Sequence, residues 1–278
     1  MQVRVAVLDL GSTSFRLVVA DWVPTVGLIP HVQRRERLNL GMVVGRAGRI
    51  PEPYADAAVR AVAKLRRRAE AAGADRIVAV ATSALRDARN REKVARRLAA
   101  AAGVPVRILS GDEEAALTYA AIRAALPLGD GPLLGVDLGG GSLELAVGTG
   151  GLLEWTASLG LGASRLVGSF LRRDPVLPQE RDHVAAHIAE QLSTLPAIDW
   201  PGACVAAGGS VKTIARMLMA SGDAGNGASE LNGVRLDAAD ISSLARRLLA
   251  MDARQRDRIP GMDHHRSGVV GTAALVIA

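Results

Sequence analysis

The sequence predicts an α/β protein of two similar domains, each a mixed sheet flanked by helices, with a cleft between them. Three observations point there. The first is an internal repeat: "VLDLGSTSFRLVV" at 7–19 and "VDLGGGSLELAVG" at 136–148 align with Asp137 on Asp9, Gly139 on Gly11 and Ser142 on Ser14. The second is that each copy is followed by strand-like alternation and then by helical spacing. The third is size: 278 residues, 49% of them hydrophobic, suit two cores better than one.

Alternating apolar residues give strands at about 3–9, 14–21 and 28–37. A helix follows from Pro53 to Ala72, with Ala58, Ala61, Val62 and Leu65 on one face and Gly73 as its stop. "RIVAVATS" reads as a buried strand and leads to a helix through Val94 and Leu98. "VPVRILS" is the next strand, and a helix runs from Ser110 to about Leu126. The second half repeats the order, with strands at 132–137, 142–148 and 152–158 and helices at 163–173 and 178–194. Strand "ACVAAGG" enters helix "SVKTIARML", the glycine-rich stretch 221–234 is a loop, and helices close the chain at 238–251 and 264–278. The turn "LPLGDGP", 126–132, sets the boundary between domains 1–125 and 126–278.

Composition narrows the function. Only 3% of residues are aromatic, which argues against a base-stacking nucleic-acid binder despite a net charge of +6. A modest positive field instead favours small polyanions. No apolar run approaches the ~18 residues that span a membrane, and no leader pattern precedes the first strand. Cys204 is the single cysteine, so no internal disulfide or zinc-thiolate site is expected. The expectation is a soluble, cytoplasmic protein with no nucleic-acid or membrane partner; a homodimer is compatible with the sequence.

Both repeat copies set a carboxylate before a loop rich in backbone N–H groups: Asp9 before Gly11, Ser12, Thr13 and Ser14, and Asp137 before Gly139, Gly140, Gly141 and Ser142. Such loops can turn several amides toward one phosphate. A neighbouring carboxylate would repel that phosphate unless a divalent cation or a polarised water stands between them. Asp137, Glu144 and Asp9 are therefore the candidate ligands of Mg²⁺, or of another divalent cation such as Mn²⁺. Asp-x-Gly-Ser is also ordinary turn chemistry, and a duplicated fold needs no shared site.

The motifs resemble the exopolyphosphatase and guanosine-pentaphosphate phosphohydrolase family (Ppx/GppA), within the larger group of sugar kinases, actin and heat-shock chaperones. The two hairpins resemble that group's phosphate loops, and "ILSGDEEAAL", 108–117, is similar to the segment that distinguishes the phosphohydrolases from the kinases. "ATSALR", "VAAGGSVKTIA" and "IPGMDHHR" resemble further family segments, so the likeness covers nearly the whole chain. It resembles the short, two-domain form. Thr13 stands where the family usually has asparagine, and Arg266-Ser267-Gly268 where it has Arg-Ala-Asp. The resemblance implies ribonuclease H-like (actin-like) domains and assigns the catalytic glutamate to Glu114.

Local chemistry bears on these residues separately. Ser110 and Glu113 form a capping-box pattern, which gives Glu113 a structural task. Glu114 sits where an apolar staple to Leu109 would be expected, so its carboxylate breaks a packing preference; a solvated helix face is the alternative. Arg86 falls in the first turn of a helix, with Ser83 a plausible cap, where a cation is disfavoured unless it faces a phosphate; pairing with Asp87 is the alternative. Gly209 and Lys212 follow the third glycine turn and can reach a phosphate tail, although a surface lysine is equally ordinary there. The expected chemistry is metal-assisted hydrolysis of a terminal phosphoanhydride, with inorganic polyphosphate or guanosine pentaphosphate as substrate. An ATP-dependent sugar or carboxylate kinase and a non-catalytic phosphate or alarmone sensor are the alternatives from other classes.

Overall fold

Alternation along the first strands decides which residues meet the helices. β1 (Val3–Leu10) turns its even positions inward, where Ala6, Leu8 and Leu10 are at most 2% exposed. It pairs antiparallel with β2 (Ser14–Val23), which pairs antiparallel with β3 (Gly27–Arg37). The computed structural model describes residues 3–24, 26–197, 202–222 and 231–278. Contacts divide the chain into two units, Met1–Ser110 and Gly111–Ala278.

In the first unit β4 (Arg76–Ala81) and β5 (Val106–Ile108) add in parallel, for a sheet order β3-β2-β1-β4-β5. One face is covered by α2 (Glu52–Ala71) and α4 (Arg91–Ala102), whose Ala58, Val62, Leu65, Val94 and Leu98 join Leu8, Leu17 and Val19 in one core. One short helix falls outside the expected elements, and a second is the expected first turn of the helix through Val94, here separate from it. α1 (Leu40–Ala47) buries Leu40 and Val44 one turn apart and ends at Gly48 with φ 64°, while its two internal glycines blur the helical signal. α3 (Ser83–Arg86) is a single turn.

The second unit holds β6 (Pro132–Leu138), β7 (Leu143–Thr149), β8 (Leu152–Leu159) and β9 (Ala203–Ala207) in the order β8-β7-β6-β9. Val136, Leu138, Leu143 and Leu145 point into a core built with α6 (Ala163–Phe170), α7 (Pro178–Ser193), α8 (Gly209–Ala220), α9 (Ala238–Leu249) and α11 (Val270–Ile277). A one-turn α10 (Ala253–Arg256) precedes α11. The expected helix 264–278 is a 3₁₀ turn, His264–Arg266, followed by α11. Of the expected loop 221–234, residues 223–230 lie outside the described residues. Among the described residues no helix is long and apolar enough to cross a membrane.

The opposite face of the second sheet is covered by α5 (Gly111–Ala125), through Ala115, Tyr119 and Ile122 against Leu133 and Ala146. The division therefore falls ahead of α5, at 110/111, whereas the sequence reading set it behind α5, at 125/126. The physical reason is that the glycine-rich turn 126–132 reverses the chain and lays α5 back on the strands that follow it.

Candidate active site

Asp137 and Glu144 are direct cross-strand partners on β6 and β7, and Leu138 pairs with Leu143 at the turn. Partners in a ladder share a face. Since Leu133 faces α5, period-two alternation puts Asp137, and with it Glu144, on the α5 side of the sheet. Glu144 is 1% exposed and its carboxylate accepts a 2.9 Å bond from the Ser158 hydroxyl. Burial and the nearby charges of Glu114 and Asp137 push its pKa up to about 8, against the opposing hydrogen bonds from Ser142 and Ser158. Asp137 accepts from the Thr118 hydroxyl of α5 at 3.3 Å. Glu114, half-buried on the first turn of α5, thus belongs to the same electrostatic cluster as Asp137 and Glu144.

Close approach explains how these parts fit. A side chain at Gly111 would put its Cβ 2.2 Å from that of Ser158, so only glycine lets α5 start against β8 beside Glu144. At Gly208 φ is 113°, and a Cβ would lie 2.5 Å from the Leu138 carbonyl and 3.2 Å from an Asp137 carboxylate oxygen. The third glycine turn therefore delivers the N-terminus of α8 next to Asp137. Gly209 begins that helix, and a Cβ on it would collide with the Arg266 guanidinium, which bonds the Ser210 hydroxyl at 3.3 Å and pairs with Asp263 at 3.4 Å. Lys212 is exposed on the same helix.

The first loop is anchored differently. The Ser12 hydroxyl accepts from the Ala84 amide at 3.0 Å and lies 2.7 Å from the Ser83 hydroxyl, and all three residues are buried. Ser83 thus fastens α3 to the loop, whereas the sequence reading made it a cap; α3 has no side-chain cap bond. Thr13 and Ser12 offer their carbonyls to the amides of Leu38, Asn39 and Gly41. Gly11 is half-buried and Ser14 is buried; Asp9 pairs across the ladder with exposed Arg16. Arg86 closes α3, donates to the Leu109 carbonyl at 3.1 Å and sits 3.8 Å from Asp87, so the ion-pair alternative for it is present in the structure.

The structure thus brings together Glu114, Asp137, Glu144 and the loop Gly139–Ser142 in the second unit; in the first, Asp9 lies beside Gly11, and α3, which ends at Arg86, is fastened to Ser12. Among the described residues no group of three or more His, Cys, Asp or Glu side chains is arranged to hold a metal ion by itself. Sequence reasoning passed over Thr118, Ser158, Gly111 and Gly208. The glycines carried a signal, since each falls where a strand or turn must be approached by another backbone; the two hydroxyls carried none.

Comparison with known proteins adds an independent line. The model of the Ppx/GppA phosphatase family matches residues 6–278. An uncharacterized protein of Streptomyces coelicolor is 36% identical over 276 residues, 98% of this chain and 82% of that protein. Exopolyphosphatase 1 of Mycobacterium tuberculosis is 31% identical over 281 residues, 98% of this chain and 80% of that one. Among solved structures, an exopolyphosphatase-like protein superposes with a TM-score of 0.87 at 28% identity, over 99% of this chain and 86% of the other.

Proposed function

Because the chain belongs to the Ppx/GppA phosphatase family, a family of phosphoanhydride hydrolases, we propose that it removes the terminal phosphate of inorganic polyphosphate. The observation that carries this reading is the buried Glu144, pressed by the charges of Glu114 and Asp137 beside a glycine loop. Its relatives' names support the substrate: two of them, in M. tuberculosis, are exopolyphosphatases 1 and 2.

The donor set fits a hard divalent cation such as Mg²⁺ or Mn²⁺. All its groups are carboxylate and hydroxyl oxygens, and the charges of Glu114 and Asp137, which add to burial in raising the Glu144 pKa, are what a cation relieves. Asp137 and Glu144 would hold it, and Asp9 has the corresponding role in the first loop. When bound, the cation neutralises charge on the phosphoryl oxygens. In the second unit the amides of Gly139–Ser142 donate to phosphoryl oxygens; in the first, the amides of Gly11–Ser14 and the Arg86 guanidinium offer the same anion-binding chemistry. Gly209 and Lys212 take the next phosphates along the chain. Glu114 accepts a proton from the attacking water as its oxygen bonds to terminal phosphorus, while the bridging oxygen leaves with the shortened chain.

The test is orthophosphate release from polyphosphate, guanosine pentaphosphate and ATP, measured side by side with Mg²⁺ or Mn²⁺. Polyphosphate is expected to give the highest kcat/KM. Preference for guanosine pentaphosphate would overturn the substrate while keeping the chemistry, and ATP turnover that depends on a sugar would overturn the chemistry.

A further inference from the structure

The glycine loop of the second unit has no side chains to hold it, yet each of its three glycine carbonyls is taken. The Ala163 amide donates to the Gly139 carbonyl at 3.2 Å and the Arg165 amide donates to the Gly140 carbonyl at 2.9 Å. The third, of Gly141, accepts from the Arg165 side chain, Nε to O, at 2.6 Å. All three donors belong to the first turn of α6. That turn lies close because Gly162 has no Cβ, which would stand 2.2 Å from the Gly141 carbonyl carbon.

A trans peptide is planar, so the carbonyl of one residue and the N–H of the next point in opposite directions. Drawing the carbonyls of Gly139, Gly140 and Gly141 onto α6 therefore turns the amides of Gly140, Gly141 and Ser142 away from it, as a set. The first two peptides are fixed by backbone donors that any residue supplies. The Gly141–Ser142 peptide is fixed by a side chain, and it follows a residue whose φ and ψ are the least restricted of any. That bond is therefore what sets the orientation of this peptide.

We propose that Arg165 is a positioning residue for hydrolysis: its Nε–H holds the Gly141 carbonyl and thereby aims the Ser142 amide at the phosphoryl group. The inference rests on the reading of this loop as a phosphate site. It is a claim about one atom. In glutamine the side-chain nitrogen stands at the same bond count as arginine Nε, so Arg165→Gln keeps a donor there and loses the charge. Lysine keeps the charge and places a methylene there, and methionine places a methyl.

Steady-state kinetics on polyphosphate should therefore rank arginine and glutamine together, within about threefold in kcat. Arg165→Lys and Arg165→Met should both fall, toward the ~10²-fold lower bound for losing a preorganised amide donor, with KM moving less. If lysine is the best replacement and glutamine as poor as methionine, the guanidinium charge itself meets substrate and the inference is wrong. Near-normal kcat in all three variants also overturns it. An amide-resolved NMR titration with inorganic phosphate covers loss of folding in the weaker variants. The Ser142 N–H should shift in wild type and in Arg165→Gln, and an unmoved Ser142 signal in wild type would refute the proposal. An inactive wild-type protein would instead speak against the polyphosphate reading, leaving the phosphate titration to decide the role of Arg165.

Discussion

Replacing Glu144 by glutamine tests the electrostatics of the cluster without touching its shape. Glutamine mimics the protonated acid and keeps an oxygen for the Ser158 hydroxyl, which now bonds Glu144 at 2.9 Å. In the metal-free protein the Glu144 pKa is pushed from the ordinary 4.5 up to about 8, first by burial and then by the charge of Glu114. A pKa raised by folding means that the native state holds the proton more tightly than the unfolded chain. The associated stability is complete below about pH 4.5 and is lost as the pH rises through about 8. At ~1.4 kcal/mol for each pH unit, the whole effect is at most about 5 kcal/mol, comparable with the total stability of many domains. Urea unfolding in chelator, from pH 5 to 9, should show wild type losing stability relative to Glu144→Gln across this window. Added Mg²⁺ or Mn²⁺ should flatten the wild-type curve by favouring the ionised carboxylate. Parallel curves for the two proteins in chelator would refute the reasoning, because the slope would then belong to other groups.

Three further outcomes are expected. Glu114→Gln should lower kcat on polyphosphate by about 10²–10⁴-fold with the fold intact, while Glu113→Gln costs little; the reverse order in a single-turnover assay would reassign the base. Asp137→Asn should weaken or abolish the activation by divalent cation, and full wild-type activity in excess chelator would count against a cation at Asp137 and Glu144 altogether. Gly162→Ala, whose new Cβ would meet Gly141 at 2.2 Å, should destabilise the fold by about 1–3 kcal/mol and depress turnover, read by calorimetry and phosphate release together.

The hairpins were legible because a period-two pattern and a glycine turn are written locally, and the repeat doubled the signal. The cross-strand meeting of Asp137 and Glu144 followed from the same turn. Glu114 stood out as a carboxylate at an apolar position, and only the packing of α5 on β7 and β8 explains which acids it answers to. What could not be read depended on contacts distant in sequence. The Ser12–Ser83 bond joins residues 71 apart, and nothing near Ser83 distinguishes a fastener from a helix cap. Helix α1 was masked by its own glycines, and the unit boundary by a turn that looks like a linker but folds the chain back on itself.

That fold-back also orders events in time. Synthesis delivers α5 before any strand on which it rests, so Ala115, Tyr119 and Ile122 emerge ahead of Leu133 and Ala146, the apolar residues they pack against. The glutamate at 114 waits with them, and its setting is complete only when Ser158, at the far end of β8, has been made. A nascent chain arrested after α5 would carry an exposed amphipathic helix, whereas one arrested after β8 could close it onto three strands. The ribosome thus releases the acid early and its environment late, and the step that joins them is the docking of one helix.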